Sequence, residues 1–541
     1  MSGFIFLFSI FAALVQCGRR GNPSGGEKDI TPPVLLRADP QNLSTNFKAK
    51  KIRLYFDEYV TLSDVQNQLI VSPPLKYLPQ ITPQGSARKY VDIVIKDTLK
   101  ENTTYTFNFG QSIQDNNEGN PASFLTYVFS TGDFIDSLSI TGVVKDAFKK
   151  ETDNFVSVML YEIDSAYTDS VIFKKPPNYI TNTLDSTIIF ELKNLKAGKY
   201  RLFGLKDAGK NNVFDQNIDK IAFLKDTITV PTDSVFLLSL FNEIPNYSAA
   251  IPSYASKNRI IFGYTGKEPP IIRPLTQLPD TVQTMITKER DKDTLNFWFT
   301  PFETDSLVFT VTPKNEQTID TFTVKTRKLG LDTLSIQPVQ RGNLGFDETF
   351  SINANTPLVA LDTALIQIID TDSIAVPYTA KIDSLRNSIG INFEVNPSQR
   401  YRIDLYQGAV TDFYGTVNDS VNYQLSTGSF ADYGNLTFSL AGAVTYPLIL
   451  QLTDESGRIE REIYATEPKL FVFNHLEPST YFARVIFDDN ANRQWDTGNY
   501  LKKIQPEKTS YYPKEIEVRA NWELNETFTI CLLYTSPSPR D

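Results

Sequence analysis

Apolar and polar residues alternate in short runs along most of this chain. Ile52, Leu54 and Phe56 share one face of such a run, and Tyr105, Phe107 and Phe109 share another. The same period of two returns at Leu307, Phe309 and Val311, at Ile391, Phe393 and Val395, and at Tyr401, Ile403 and Leu405. That period sends one side of an extended strand into a core and the other into solvent. The run from Val156 to Tyr161 is apolar on both sides, as in a strand covered on both faces. Turn-forming clusters such as Asp115 to Gly119 and Asp412 to Gly415 separate the runs. The pattern predicts an all-β chain, a tandem array of antiparallel β-sandwich domains.

The chain also repeats itself at long range. Phe129-Ser130-Thr131-Gly132 is matched by Leu425-Ser426-Thr427-Gly428, and Ile140 to Gly142 by Leu440 to Gly442. Leu195 to Tyr200 is matched at the same spacing by Leu476 to Tyr481, and Asp207 to Asp215 by Asp488 to Asp496. A pair of domains thus occurs twice around a middle one. A period this long marks a domain array rather than a solenoid. The expected domains are residues 31–134, 135–235, 236–333, 334–430 and 431–530.

Both ends stand apart from this array. Phe4 to Val15 is apolar but too short to span a bilayer, which takes about 20 residues. It has the length of a signal-peptide core, and Leu14-Val15-Gln16-Cys17 closes it. The segment resembles a bacterial lipobox, with Gln16 where a small residue is usual and no Lys or Arg ahead of the apolar run. The resemblance makes residues 1–17 a lipoprotein signal peptide and Cys17 the lipidated residue. Residues 18–30 follow as a polar linker. Residues 531–541 resemble the translation of a sequencing adapter, so the natural chain is expected to stop near Ile530. With Cys531 set aside, Cys17 is the one remaining cysteine. Disulfides and cysteine-ligated metals are then not expected within the fold.

Aromatic residues make up 12% of the chain, with Tyr and Phe far outnumbering Trp, which favours strands over helices. The net charge of -10, without a basic block, argues against nucleic acid as a partner.

Pro32-Pro33-Val34, the strand through Tyr55 to Glu58, and the close at Phe129 to Gly132 together resemble the bacterial Ig-like domains of surface-layer and envelope proteins. The resemblance covers residues 29–133, and its copy falls in 334–430. Leu195, Gly198 and Tyr200 resemble the prealbumin-like or carboxypeptidase-regulatory-like β-sandwiches of secreted bacterial proteins. This second likeness extends to residues 135–235 and 431–530.

The Asp-rich loops are the best chemical candidates. Asp488, Asn490, Asn492 and Asp496 stand at relative positions 1, 3, 5 and 9, as at the start of an EF-hand-like calcium loop. The first copy keeps Asp207, Asn211 and Asp215. Neither copy has Gly at position 6, where Arg493 and Asn212 stand, or Glu at position 12. Two readings stand side by side: a weak calcium site, or a polar turn held by Asx bonds to its own backbone. No other cofactor is expected.

His475 is the only histidine, so a His-bearing triad or multi-His zinc site is not expected. It is expected to be a solvated turn residue. Asp57 and Glu58 are the natural pair for a carboxylate-only hydrolase. As strand neighbours they should face opposite ways. The chain is expected not to be an enzyme.

Asp followed by Ser or Thr and then a small or aliphatic residue recurs along the chain. It resembles the O-glycosylation sequon of Bacteroidota envelope proteins. The acceptors would be Ser137, Ser165, Ser170, Ser234, Thr281, Ser306, Thr333, Thr363, Ser384 and Ser420. The same triplet also makes a turn that leads into a strand.

These readings predict an outer-membrane lipoprotein, on the periplasmic face or the cell surface, serving as envelope scaffold or interaction module. Its partners would be the membrane, through the lipid, and envelope proteins. The alternative is an adhesin or glycan-binding protein, with loop aromatics such as Tyr414 and Trp495 stacking on sugars.

Overall fold

The computed structural model describes residues 29–183, 188–314 and 319–530. Cys17, most of the linker and the adapter-like tail lie outside the described residues. The regular structure of the described chain is almost entirely strand, and no helix in it is long and apolar enough to cross a membrane.

Five hydrophobic clusters lie between pairs of packed sheets, following one another along the chain. In the first sandwich, strand Lys51–Leu62 pairs with Leu35–Asp39 on one side and Arg88–Val94 on the other. The facing sheet is Ile70–Ser72, Thr104–Asn108 and Thr126–Ser130. Ile52, Leu54 and Phe56 are buried between the two, with Phe107, Phe109 and Phe129 opposite.

The fourth sandwich repeats this plan. Phe350–Ala354 stands between Ile336–Pro338 and Ser388–Phe393, which in turn pairs with Tyr378–Asp383. The paired sequence motifs also share one hydrogen-bond scheme. The Thr131 hydroxyl donates to the Lys100 carbonyl at 2.7 Å and accepts from the Thr103 amide at 2.9 Å. Thr427 does the same with Asn396 and Gln399, at 2.6 and 2.9 Å. Buried Tyr105 and Tyr401 each accept from a backbone amide five residues upstream, Lys100 and Asn396. The Ser-Thr-Gly close therefore fixes the turn that leads into its neighbouring strand, Thr104–Asn108 or Arg400–Leu405.

The second and fifth sandwiches share a different plan. Each has a three-stranded sheet whose central strand, Leu138–Asp146 or Gly434–Gly442, pairs in parallel with the last strand, Val235–Leu240 or Glu523–Ile530. Gly142 and Gly442 sit against that last strand. A Cβ would lie 2.3 Å from the Phe236 carbonyl in one and 2.5 Å from the Ile530 carbonyl in the other. In both sandwiches a tyrosine folds back over the preceding turn: Tyr200 donates to the Lys196 carbonyl and Tyr481 to the Glu477 carbonyl. The middle sandwich packs Arg259–Thr265 and Thr294–Phe299 over Ile271–Pro274, Ser306–Thr312 and Asp320–Lys325.

A sixth cluster joins sandwiches far apart in sequence. The outer face of the second sandwich's larger sheet carries Met159, Tyr161, Ile180, Phe203, Ile221 and Phe223. Tyr500 of the fifth sandwich is buried among them. This explains why Val156 to Tyr161 is apolar on both sides.

Candidate functional site

The two Asp loops fold alike. In the fifth sandwich, Asp488 accepts the amides of Asn492 and Arg493 at 3.0 and 2.9 Å. In the second, Asp207 accepts the amide of Asn212 at 2.6 Å. Position 6 is left-handed in both copies, with φ of 63° at Arg493 and 55° at Asn212. The conformation that usually calls for Gly is thus adopted without it.

A second carboxylate closes each loop. Glu507 accepts the amides of Asp489 and Asp496, both at 2.9 Å. Asp219 accepts those of Ala208 and Asp215, both at 2.8 Å. These are the same two loop positions in each copy. Sequence reasoning missed Asp219 and Glu507 because they lie at different distances along the chain from the first Asp. Burial pushes the Glu507 and Asp207 carboxyls up from their ordinary range.

The donor set fits a cation poorly. Asp496 Oδ2 accepts the side-chain amides of Asn490 and Asn492, which present nitrogen rather than oxygen to it. Their oxygens accept the amides of Asn492 and Gln494. In the first copy Asp207 Oδ1 is buried without a hydrogen-bond partner, and Asn211 accepts the Val213 amide. Among the described residues no group of three or more metal-binding side chains converges. In the fifth sandwich the loop carries a chain segment that packs on the second sandwich.

The chain from Trp495 to Tyr511 lies on the second sandwich. Tyr500 is 1% exposed, its ring 5.0 Å from Phe203 and 5.2 Å from Phe223. Its hydroxyl donates to Asp169 at 3.1 Å, and Lys503 Nζ lies 3.0 Å from the same oxygen. The Tyr500 amide donates to Glu243, and Gln505 donates to the Phe223 carbonyl at 2.8 Å. Gly498 permits the approach, since a Cβ there would lie 2.6 Å from the Phe241 ring. In return, the second sandwich's Phe148 packs 4.5 Å from Trp495 and lies 4.0 Å from the Arg484 guanidinium. Thr509 and Tyr511 donate to the carbonyls of Ala147 and Phe148. Beside this clasp, the third and fifth sandwiches line an open cleft of about 750 Å³, crossed by Lys267 and Asp496 at 3.4 Å.

Three expectations need correction. Trp495 is not a free platform: it packs on Phe148 and donates to the Glu507 carbonyl. Tyr414 is not free either, because its hydroxyl donates to the Asn258 carbonyl and burial pushes its pKa up. His475 is no solvated turn residue. It stands at a strand irregularity with φ of 55°, stacked on Phe430 at 4.9 Å and against Phe346 at 4.8 Å. Its counterpart Asn194 is also left-handed and donates to the Asp136 carbonyl. His and Asn share this position because both tolerate that backbone.

Asp57 accepts the Val34 amide at 2.8 Å. Burial, then the nearby carboxylates of Asp115 and Asp57, push the Glu58 carboxyl up. Asp115 is taken up by its own turn, accepting four backbone amides. Of the sequon residues, Ser137, Ser165, Thr281, Thr333, Thr363, Ser384 and Ser420 are exposed. Ser170, Ser234 and Ser306 are half-buried. In several triplets the Asp also makes the turn: Asp164, Asp362 and Asp383 accept the amides of Ala166, Ala364 and Leu385.

Residues 29–131 match the bacterial Ig-like domain family. Nothing among curated proteins matches the chain. Among solved structures, the chain is similar to the S-layer protein rSbsC at 11% identity and a TM-score of 0.14, over 90% of this chain and 67% of that one. It is similar to the Bacteroides ovatus protein SGBP-B, of a mixed-linkage glucan utilization locus, solved with a mixed-linkage heptasaccharide. There the identity is 11% and the TM-score 0.16, over 71% and 92% of the two chains. Titin domains I67-I69 match at 9% identity and a TM-score of 0.11, over 52% and 98%. Scores this low carry no argument about function.

Proposed function

We propose that this chain is a non-catalytic lipoprotein of the outer membrane that presents β-sandwiches to envelope partners as one closed unit. The bacterial Ig-like match and the sandwich array support a surface or interaction module. The carrying observation is the clasp. A string of independent modules has no reason to bury Tyr500 in a sandwich more than 250 residues upstream, whereas a scaffold that sets its modules at fixed positions does. The anchor would be lipidated Cys17, and glycans on the exposed sequon residues would shield the loops between strands. Loops and sheet surfaces are where such domains meet their partners.

Fractionation tests the anchor: Cys17→Ser should move the protein from the membrane to the soluble fraction, and unchanged membrane association sinks the reading. Protease shaving of intact and lysed cells tests the face. Loss of residues 400–500 from intact cells places the array outside, and protection until lysis places it in the periplasm.

A further inference from the structure

The first sandwich carries a surface that neither the Asp loops nor the clasp uses. It is the solvent face of the sheet formed by Leu35–Asp39, Lys51–Leu62 and Arg88–Val94. The register sets Arg37, Tyr55 and Tyr90 side by side in one row across the three strands. Asp39, Arg53 and Asp92 form the next row. The Arg37 guanidinium lies 3.8 Å from the centre of the Tyr55 ring, and that of Arg53 lies 4.1 Å from Tyr90. Arg88 lies 5.6 Å from Tyr90 and donates to its hydroxyl at 2.9 Å. Both rings are half-exposed.

Charge is unevenly balanced here. Asp92 holds Arg53 at 2.6 Å and Lys51 at 3.0 Å. Arg37 and Arg88 are exposed and, among the described residues, face no carboxylate within ion-pair distance. Lys89 donates to the Asp57 carbonyl. A chain of net charge -10 thus places two guanidinium groups, Arg37 and Arg88, without an ion-pair partner on this aromatic face, beside the exposed carboxylate of Asp39.

We propose that this face binds a strand of acidic polysaccharide, one bearing carboxylates on its sugar rings. Tyr55 and Tyr90 hold the guanidinium groups of Arg37 and Arg53 over their ring faces, so the polymer meets guanidinium groups backed by aromatic rings. Arg37 and Arg88 offer planar forks that take a carboxylate through two hydrogen bonds. A pleated sheet is an extended platform, suited to a linear polymer rather than to a compact ligand. The rings lie under guanidinium groups rather than projecting from the surface, which disfavours insertion into a lipid bilayer. The inference extends the interaction reading above, but it is tested on purified protein, so polymer binding and membrane anchoring fail independently.

The test is native electrophoresis of the purified full chain through gels containing polygalacturonate, with hydroxyethylcellulose gels as the neutral control. Retardation is expected in the first gel only, relieved by added salt. Arg37→Glu with Arg88→Glu should weaken it at least tenfold while circular dichroism stays unchanged, both side chains being exposed. Arg37→Lys with Arg88→Lys keeps the charge and should retain part of the binding. The proposal is overturned if the wild-type chain runs unretarded, if the Glu variant is retarded equally, or if the chain binds anionic phosphatidylglycerol vesicles but not the polymer.

Discussion

The hydroxyl of Tyr500 reaches Asp169, a residue of the second sandwich, across more than 300 residues of chain. Two effects can be separated at this contact. Tyr500→Phe removes one charge-assisted hydrogen bond and should cost about 2 kcal/mol of clasp stability. Tyr500→Ala removes a buried ring as well and should cost about 3–5 kcal/mol. Hydrogen exchange in strand Ser157–Glu162 should rise modestly in the first variant and strongly in the second, and small-angle scattering should show the second expanding. An unchanged radius of gyration in Tyr500→Ala would mean that the clasp does not hold the sandwiches together.

Thr131 and Thr427 should behave alike. Thr131→Val leaves the Thr103 amide and the Lys100 carbonyl without their shared partner. The expected loss is about 1–3 kcal/mol in the first sandwich. Thr427→Val should do the same in the fourth, and Ser at either position should restore most of it. Urea unfolding followed by hydrogen exchange reads the two sandwiches separately.

The Asp92 carboxyl is held below its usual range by hydrogen bonds from Arg53, against the cost of burial and with Lys51 helping. A carboxylate whose pKa falls on folding stabilises above its unfolded pKa of about 3.9, and that contribution disappears as pH drops through the folded value. Asp92→Asn should therefore weaken the first sandwich at pH 7. The gap to wild type should close as the pH is taken below the carboxylate range. A gap that stays constant with pH would show that the pair contributes nothing through its charge.

Calcium should matter little. Asp496 holds its loop through two Asn amides, and its carboxyl, despite burial, is kept low by Asn490 and Lys267. Millimolar calcium against EGTA should move the melting of the fifth sandwich by less than about 1 °C, since only a bound ion adds linkage stability. Glu507→Gln should loosen the loop with or without calcium. A large upward shift with calcium in wild type would mean that the amides turn and the loop takes the ion.

What could be read from the sequence was local. Ile52, Leu54 and Phe56 announce their strand because period two is a property of neighbouring residues. The Leu-to-Tyr motif stands out because it closes a turn within a few residues of itself, and the Ser-Thr-Gly motif because it recurs, although its turn lies about 30 residues upstream. The clasp was hidden because Tyr500 and Phe203 meet only once whole sandwiches have formed. Even so, the doubly apolar run at Met159 and Tyr161 carried its trace. Trp495 and Tyr414 looked like free loop aromatics because composition does not tell a ring on a loop from a ring packed under one. The alignment of Tyr55 and Tyr90 with Arg37 was hidden because it depends on strand register.

The parallel pairing in the second and fifth sandwiches has a mechanical consequence. Strand Leu138–Asp146 enters the second sandwich and Val235–Leu240 leaves it, side by side from Val235 opposite Thr141 to Leu240 opposite Asp146. Tension drawn along the chain pulls these two strands past each other, so it loads the whole row of their hydrogen bonds together in shear. An antiparallel pair pulled from its open end would instead unzip one bond at a time. Glu523–Ile530 meets Gly434–Gly442 in the same way. Tension along the chain would thus meet terminal strands loaded in shear in both the second and the fifth sandwich.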